Sequence, residues 1–585
     1  MAVQTLPTTN SGTPDAYSAP IGDYAFLLRE AFGTDIVARS TGGTLTADDA
    51  MDAIEAAAEF TSEVIAPLNR IGDQMGSRLV DGEVALPDGF KEAYRAFAET
   101  GWVSAAVSES AGGDGLPISV TTALSEFWNA SNAAFTLCPG LSLGAIRTLN
   151  AYASPELREA YLPKMVSGEW TGTMNLTEPQ AGTDLGAVRT MAHENPDGTW
   201  AITGQKIFIT WGDHDMAENI IHLVLARTEG APEGHRGISL FLVPKFLLND
   251  DGSIGARNGV TTVGVEHKLG IHASPTCTLQ YENATGYLVG ELHKGLKGMF
   301  VMMNESRFGI GVQGLGIAYR SLLQANEYAN TRVQGAVLGC DEGTPIAGHP
   351  DVRRLLLSMS SRISAMRALA VFAADLQDQA EQNGDLALAE FFIPIVKAWC
   401  TEEAVSITSD AIQVHGGMGF IEETGAAQHF RDARIGPIYE GTTAIQSNDL
   451  VGRKLLRDMG QTATRILGMI EADVETLASW ENPVAQRTAE RMGRALAAAQ
   501  SAAESLVMVA MSNLRNAFAI SVPLQELLSL LAGGWMHAKT LIAVGQHEAL
   551  TDGDQRRLTE ADFYGAHHLV KVHALAETVA AGEIS

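Results

Sequence analysis

The stretch TWAITGQKIFITW, residues 199–211, decides the fold because it marks a change from helical to strand-like sequence. It is a short run rich in isoleucine, threonine and aromatic residues, a composition that suits a pleated, half-buried strand. Three similar runs follow it, NIIHLVLARTE, GISLFLVPKFL and CTLQYEN, and turn clusters such as NDDG and ENATG separate the strand-like segments. Together they predict a compact antiparallel β domain of sandwich or barrel type over residues 171–291.

Helical periodicity surrounds this β region on both sides. DYAFLLREAF, residues 23–32, and the long run at residues 349–382 place apolar residues at i, i+3, i+4 and i+7. The sequence therefore predicts an α+β multi-domain protein. Its predicted segments are a disordered lead (1–22), an N-terminal helical domain (23–170), a middle antiparallel β domain (171–291), a C-terminal helical domain (292–459) and a helical C-terminal extension (460–585).

The composition narrows the class of protein. A chain of 585 residues is too long for one hydrophobic core, and its net charge of −29 opposes binding to nucleic acid or to an anionic membrane. The four cysteines are far apart and form no CxxC pair, so disulfides and a zinc site are not expected. The first residues lack a secretory signal, and no stretch reads as long and apolar enough to span a bilayer. These features predict a cytoplasmic protein.

A glycine motif at residues 309–314, GIGVQG, matches the GxGxxG pattern of dinucleotide-binding proteins. That pattern requires a strand before it and a helix opening after it. Here the sequence on both sides is helical, so we interpret these glycines as positions that allow close packing of helices.

Three further segments combine glycines, hydroxyls or aromatic residues in ways that could hold a ligand. MNLTEPQAGTDLGAV, residues 174–188, offers hydroxyls and backbone N–H groups, although it could be a plain connecting loop. KIFITWGDHD, residues 206–215, could pack a flat ring system or be a core strand. QVHGGMGF, residues 413–420, could bring backbone close to a phosphate or simply end a helix.

A fourth segment, IGPIYEGTTAIQ at residues 435–446, places Glu440 between an aromatic residue and a glycine. Thr443 and Gln446 fit a capping box, which predicts a helix that starts here. Taken alone, Glu440 could be a solvated loop residue or a base held at the edge of an apolar pocket.

The order of these segments resembles the acyl-CoA dehydrogenase family over about residues 80–455. The resemblance rests on MNLTEPQAGTD, KIFIT, HKLGIHASPTCTLQYENA, MNESR, TRVQG, QVHGGMGF and YEGTTAIQ. It implies a helical, a β and a second helical domain, with FAD bound between the last two and a CoA thioester as substrate. The residues that would bind FAD are Leu176, Thr177, Thr183, Phe208, Ile209, Thr210, Gln413, Gly416, Gly417 and Thr442, together with Arg332 from a neighbouring subunit. The residues that would bind substrate are Thr183, Asn304, Arg307, Tyr439 and Gly441.

The resemblance further implies that Glu440 is the catalytic base of an α,β-dehydrogenation that yields a trans-2-enoyl-CoA. Tyr439, the flavin and the acyl chain should desolvate this carboxylate and raise its pKa, which makes it a stronger base. Electron-transferring flavoprotein is the implied electron acceptor. The cross-subunit contact of Arg332 implies a homo-oligomer, and the long tail favours a homodimer. The resemblance implies no metal.

The segment YSAPIGDYAFLLREAFG and the helical tail resemble a larger bacterial subgroup of the family that includes 3-methylmercaptopropionyl-CoA dehydrogenases. That subgroup implies conversion of 3-methylmercaptopropionyl-CoA to 3-methylthioacryloyl-CoA in dimethylsulfoniopropionate demethylation. Four alternatives stay open: a general short- or medium-chain dehydrogenase, an acyl-CoA oxidase, a non-enzymatic acyl-CoA-binding scaffold and a DNA-associated family member. The last needs a basic tail, whereas residues 461–585 carry nine Lys and Arg against 14 Asp and Glu.

Overall fold

Two units make up the described part of the chain, which is residues 17–582 of a computed structural model. The helical unit consists of Met1–Ser62, Pro117–Ser131 and Arg307–Ser585, within the described range. The β unit consists of Glu63–Leu116 and Asn132–Ser306. Most of the predicted lead, residues 1–22, lies outside the described residues, and the first helix begins at Ile21.

Helices account for most of the described chain, as the apolar periodicity predicts. In chain order they are α1 (Ile21–Arg29), α2 (Ile36–Ser40), α3 (Ala47–Phe60), α4 (Leu68–Met75), α5 (Phe90–Glu99), α6 (Ile118–Tyr152), α7 (Pro155–Val166), α8 (Gly295–Thr331), α9 (Pro350–Asn383), α10 (Leu386–His415), α11 (Ala426–Ala433), α12 (Thr443–Asp449), α13 (Gln461–Ala478), α14 (Pro483–Ser512), α15 (Leu514–Ala519), α16 (Ser521–Val544), α17 (Asp552–His567) and α18 (Lys571–Ala581).

All strands of the described chain belong to the β unit. They are β1 (Arg78–Val80), β2 (Glu83–Ala85), β3 (Trp170–Asn175), β4 (Met191–Glu194), β5 (Trp200–Thr210), β6 (Asn219–Thr228), β7 (Ile238–Pro244), β8 (Phe246–Leu248), β9 (Ile254–Arg257), β10 (Val260–Val265) and β11 (Thr276–Val289). Two hairpins, β1–β2 and β8–β9, stand apart from the main sheet.

The seven-stranded main sheet closes on itself. Its strand order is β10-β11-β5-β4-β6-β3, and β7 pairs with both β11 and β6, which completes a ring of five strands. This arrangement confirms the predicted β domain, with one difference: β6 runs parallel to β3 and to β4. The chain between β3 and β6 is long enough for the crossover that a parallel pair requires. A core of aliphatic and aromatic side chains fills the ring, including Ile202, Val224, Phe241 and Tyr281.

A buried ion network connects four helices of the helical unit. Arg367 on α9 donates hydrogen bonds to Glu126 on α6 at 2.6 Å and to Asp23 on α1 at 3.1 Å, and Arg556 on α17 also donates to Asp23. Burial alone would raise the pKa of Asp23, but the neighbouring guanidinium groups lower it below its ordinary value. The network therefore keeps Asp23 ionised and fastens the C-terminal extension to the N-terminal helix.

The extension also packs against the helices that precede it. Gln525 on α16 donates to the carbonyl of Pro394 on α10 at 2.7 Å and accepts a hydrogen bond from the Ser447 hydroxyl on α12. Ser521 donates to Asn448 at 2.9 Å. The extension thus braces α12, the helix whose first turn follows Glu440.

Three helices, α9, α14 and α16, are long and apolar enough to cross a membrane by length and composition. The prediction that no stretch has this character is therefore wrong. In the most apolar window of each helix, 89% of the residues of α9 and 83% of those of α16 are buried inside the protein, against 28% for α14. The apolar faces of α9 and α16 are thus explained by the protein core.

The GxGxxG glycines lie inside α8, and two of them, Gly311 and Gly314, are confirmed as packing positions. A Cβ added at Gly311 would be 2.6 Å from Cγ1 of Val396 on α10, and one added at Gly314 would be 2.8 Å from the carbonyl oxygen of Cys400. These contacts leave no room for side chains where α8 crosses α10.

We expect Gly311→Ala and Gly309→Ala to change stability in opposite directions. The first forces a methyl group against α10, which costs about 1–3 kcal/mol. The second meets no atom within 4 Å and removes a flexible residue from a helix, which stabilises by up to about 1 kcal/mol. Thermal unfolding of the two variants under one set of conditions measures the difference. Equal shifts of Tm would contradict the packing role.

Candidate active site

Glu440 lies on a short loop between α11 and α12 in the helical unit. Its backbone has a φ of +54°, a left-handed conformation that residues other than glycine rarely adopt. Tyr439 N–H donates to the Ile435 carbonyl at 3.1 Å, and Thr443 N–H donates to the Pro437 carbonyl at 3.0 Å. The loop therefore holds its acidic residue in a strained and defined position, as functional sites often do.

Gly441 is required by its conformation and by its neighbour. Its φ is +91°, and an added Cβ would lie 2.6 Å from Nε2 of Gln446. That amide donates to the carbonyl of Glu440 at 3.2 Å. A larger residue at position 441 would displace Gln446 and with it the carbonyl of the candidate base.

The helix after Glu440 starts as predicted, but its cap differs. The N-cap is Thr442, whose hydroxyl accepts from Ile445 N–H at 3.3 Å. The predicted capping box of Thr443 and Gln446 does not form. The Thr443 hydroxyl donates to Glu402 at 2.6 Å, and the Gln446 amide points to the carbonyl of Glu440. The Thr443 hydroxyl therefore has a tertiary partner on α10, and the Gln446 amide has a partner in the preceding loop.

Two cations share the electrostatic surroundings of Glu440. Burial raises the pKa of the Glu440 carboxyl above its ordinary value, and the positive charges of Arg307 and Lys397 only partly oppose this. The predicted direction is thus confirmed. Arg307 on α8 is buried, and its Nε has no hydrogen-bond partner among the described residues. A carboxylate of raised basicity and a guanidinium with spare donor capacity therefore lie in one electrostatic neighbourhood.

Tyr439 is held by a chain of polar contacts. Its hydroxyl donates to Oε1 of Gln313 on α8, and the amide of Gln313 donates to Asn129 on α6 at 3.2 Å. Burial raises the pKa of Tyr439 well above its ordinary range, so the phenol stays neutral. The ring next to Glu440 is consequently fixed in place.

Lys397 and Gln446 belong to this site, and sequence reasoning missed them. Lys397 is the one charged residue in the apolar run FFIPIVKAWC of α10. A charge isolated in a buried helix needs a specific partner, and that signal could have been noticed. The sequence around Gln446 has no comparable feature, because the carbonyls to which it donates can be identified only in the folded structure.

The predicted flavin residues of the β unit lie at the end of β5 and on the loop after β3. Phe208 has a φ of +59°, and 58% of its surface is exposed, which presents its ring outward. The side chain of Ile209 is buried in the core, so its backbone is the part that remains for the predicted flavin contact. The backbone carbonyl of Thr177 accepts a hydrogen bond from Ile207 N–H at 2.9 Å. The loop after β3 and the end of β5, which includes Thr210, therefore form one surface.

A buried ion pair supports the loop after β3. Lys206 on β5 donates to Glu178 at 2.8 Å and to the carbonyl of Leu176 at 3.0 Å. Glu178 also accepts from Thr190. Burial alone would raise the pKa of Glu178, but the lysine lowers it to about 2, whereas burial lowers the pKa of Lys206 to about 8. The pair stays ionised at neutral pH and was not singled out from the sequence.

Four predicted cofactor residues share an exposed edge of the helical unit. Tyr328 on α8 stacks on His415 at the end of α10 with ring centroids 4.6 Å apart. This contact brings the helix ends together, where Arg332, Gln413, Gly416 and Gly417 are all exposed. Gly416 has a φ of +60° and ends α10, so the segment is a helix stop as well as a candidate contact surface.

The remaining predicted residues occupy separate positions. Asn304 is half-buried on α8, three residues before Arg307, and Thr183 is exposed on the loop after β3. No cluster of metal-ligating side chains occurs among residues 17–582.

Four family models match the chain in succession. They describe the N-terminal (48–169), middle (173–284) and C-terminal (293–456) domains of acyl-CoA dehydrogenase and an acetyl-CoA dehydrogenase C-terminal-like domain (463–585). The chain belongs to the acyl-CoA dehydrogenase family. The matches include the C-terminal extension.

Relatives of known activity cover nearly the whole chain. The 3-methylmercaptopropionyl-CoA dehydrogenase of Ruegeria pomeroyi is 46% identical over 571 residues, which is 95% of this chain and 97% of that protein. A broad-specificity linear acyl-CoA dehydrogenase of Mycobacterium tuberculosis is 33% identical over 96% of this chain and 97% of that protein. A chain from a structure of the electron transferring flavoprotein of Acidaminococcus fermentans is 26% identical, with a TM-score of 0.60 over 70% of this chain and 98% of that chain.

As a member of the acyl-CoA dehydrogenase family, the protein is an FAD-dependent oxidoreductase that acts on acyl-CoA. Its residues fit both FAD and a CoA thioester. The β unit presents an exposed aromatic ring beside threonine hydroxyls, and the helical unit contains a buried guanidinium whose Nε is unpaired among the described residues. These are groups that a ring system and an anionic ligand respectively require.

Proposed function

We propose that this acyl-CoA dehydrogenase converts 3-methylmercaptopropionyl-CoA to 3-methylthioacryloyl-CoA. The substrate rests on the 46% identity with the Ruegeria pomeroyi enzyme over 95% of the chain. The reaction type is carried by one observation, a carboxylate of raised pKa held on a left-handed loop in the electrostatic surroundings of two buried cations. A relative of broad linear specificity supports a second candidate, a general dehydrogenase of short and medium acyl chains.

Glu440 is the proposed base that removes the proton from Cα of the thioester. Because burial raises its pKa toward the working pH, its carboxylate is a better proton acceptor than a free glutamate. The N–H of Glu440 donates to no acceptor within the described chain, which suits it to stabilise the thioester oxygen as negative charge develops. When bound, FAD supplies the hydride acceptor that oxidation of the Cα–Cβ bond requires.

The other predicted residues are assigned as follows. Tyr439 and Gly441 border the acyl chain, Asn304 and Arg307 bind the CoA portion, and Thr183 contacts the pantetheine. Thr442 and the flavin residues Leu176, Thr177, Phe208, Ile209 and Thr210 contact FAD. Arg332, Gln413, Gly416 and Gly417 bind FAD across a homodimer interface, and their common exposed edge supports this assignment.

We further propose that the reduced flavin is reoxidised by electron-transferring flavoprotein in the cytoplasm. Similarity to a chain from an electron-transferring flavoprotein structure supports this acceptor. All four cysteines are free thiols, which suits a reducing compartment. The rate of peroxide release tests the oxidase alternative, because an oxidase would release one peroxide for each substrate oxidised. Light scattering of the purified protein tests the homodimer.

Anaerobic bleaching of the flavin by a panel of acyl-CoAs tests the substrate. We expect 3-methylmercaptopropionyl-CoA to reduce the flavin faster than butyryl-CoA or octanoyl-CoA. If the thioether substrate were the slowest of the three, the general dehydrogenase would replace it as the proposed function. A flavin that no acyl-CoA bleaches would contradict both candidates and favour a non-enzymatic acyl-CoA-binding protein.

A further inference from the structure

Lys397 is a buried cation next to the loop of the candidate base. It lies on α10, and its side chain has no exposed surface. Its Nζ donates to the carbonyl of Gly441 at 2.6 Å and to the carbonyl of Gly436 at 2.9 Å. These carbonyls precede and follow the segment from residue 437 to 440, so one ammonium group joins the two ends of the loop that carries Glu440.

We propose that Lys397 is a positioning residue for Glu440, because its ammonium group holds both ends of the loop that presents the carboxylate. An ammonium has three donors and no acceptor, which matches a pair of converging carbonyls. Gln446 assists by donating to the carbonyl of Glu440 at 3.2 Å. The proposal rests on the proposed role of Glu440 as the base, and Lys397 takes no part in proton transfer.

The strained backbone makes such a clamp necessary. Glu440 and Gly441 are consecutive left-handed residues, and the glutamate has a Cβ that this conformation disfavours. An unrestrained loop would relax away from this conformation and move the carboxylate. Contacts from α10 and from the side chain of Gln446 hold the turn against that relaxation.

The charge of Lys397 adds a second effect. Its pKa is lowered to about 8, because burial outweighs the opposing effect of Glu440 and Glu402, and the charge of Arg307 acts in the same direction as burial. Lys397 is therefore mainly protonated at pH 7, and its charge restrains the rise in the pKa of Glu440 that burial causes. The positioning of the loop and the positive charge of Lys397 can be separated by substitution, because a neutral amide side chain can still donate a hydrogen bond to a carbonyl.

Three substitutions separate these effects, and a fourth is the control. Lys397→Met removes donors and charge, Lys397→Gln keeps a donor and removes the charge, and Lys397→Arg keeps both. Lys454→Met removes a partly exposed lysine that pairs with Glu390 in the same unit. Each FAD-loaded enzyme is mixed anaerobically with 3-methylmercaptopropionyl-CoA and with butyryl-CoA between pH 6 and 9. Flavin reduction is recorded as a rate constant per bound FAD.

We expect Lys397→Met to slow flavin reduction by about 10- to 100-fold, the effect of a displaced catalytic group. The apparent pKa of the base should rise by about one unit in both neutral variants, because a nearby positive charge is lost. Lys397→Arg should retain the wild-type pKa, and Lys454→Met should match the wild type in both measurements. If Lys397→Met does not fold, Lys397→Gln and Lys397→Arg provide the same comparison of charge.

A purely structural lysine would give a different result. Its loss would lower Tm and FAD content, but the rate per bound FAD and the apparent pKa would remain those of the wild type. That outcome would overturn the proposal. Failure of the proposed role of Glu440 is recognised separately. In that case the flavin of the Glu440→Gln variant would be reduced at the wild-type rate, independently of the results at position 397.

Discussion

We expect Glu440→Gln to lose nearly all acyl-CoA oxidation while the protein stays folded and yellow. The substitution keeps the shape of the side chain and removes the proton acceptor, so we expect flavin reduction to slow by at least about 10²- to 10⁴-fold. Stopped-flow reduction under anaerobic conditions measures the loss, and the visible spectrum reports bound FAD. Glu423→Gln, on an exposed turn of the same unit, is the matched control and should behave as the wild type.

Stability provides an independent check on the same variant. The pKa of Glu440 is higher in the folded protein than in the unfolded chain, so the cost of burying its charge appears as the pH rises through the folded value. Glutamine is uncharged at every pH, so the variant does not lose stability by burying a charge at this position. We therefore expect the Tm of Glu440→Gln to equal or exceed that of the wild type at pH 7.5, an advantage that disappears below about pH 4.5, near the ordinary pKa of glutamate. A variant that bound FAD normally and retained turnover would exclude Glu440 as the base.

Lys206→Met should cause the largest loss of stability among the variants considered, together with loss of FAD. It leaves the buried Glu178 carboxylate without its cation, which costs about 3–5 kcal/mol. It also releases the carbonyl of Leu176, a predicted FAD contact and the first residue after β3. Lys164→Met removes a surface lysine that pairs with Glu169 in the same unit, and its effect should be within about 1 kcal/mol.

The pH dependence of Lys206→Met distinguishes a broken ion pair from a packing defect. In the wild type, Glu178 has a pKa of about 2, so its contribution to stability is present above about pH 4.5 and is lost as the pH falls through 2. Without the lysine, its pKa rises and protonation relieves the unpaired charge. The difference in Tm between variant and wild type should therefore shrink from pH 7 to pH 5. A constant difference would indicate lost packing instead.

The C-terminal extension has a structural connection to the site within the helical unit. Gln525 bonds to α10 at Pro394, three residues before Lys397, and to Ser447 on α12. Lys397 on α10 donates to the loop of Glu440, and α12 begins directly after that loop. The extension thus supports both anchors of the candidate base, and the family model over residues 463–585 shows that it is a recognised domain.

The sequence by itself determined the order of helical and β regions, the family and the candidate base. Those features depend on periodicity and on motifs a few residues long, such as KIFIT and YEGTTAIQ, which a linear reading can recognise. It also placed the glycines of residues 309–314 in a helix, because their flanks are helical. The boundaries of the predicted domains remain predictions.

Tertiary structure alone decided what surrounds each motif. Lys397 lies 43 residues before Glu440 in the chain, yet its ammonium group holds the loop that carries it. Thr442 caps α12, whereas Thr443 and Gln446 bond to other groups. Phe208 has a left-handed backbone, and the side chain of Ile209, which follows it, is buried in the core. Local pattern encodes which segments form, whereas burial, charge pairing and the direction of a side chain depend on packing between segments distant in sequence.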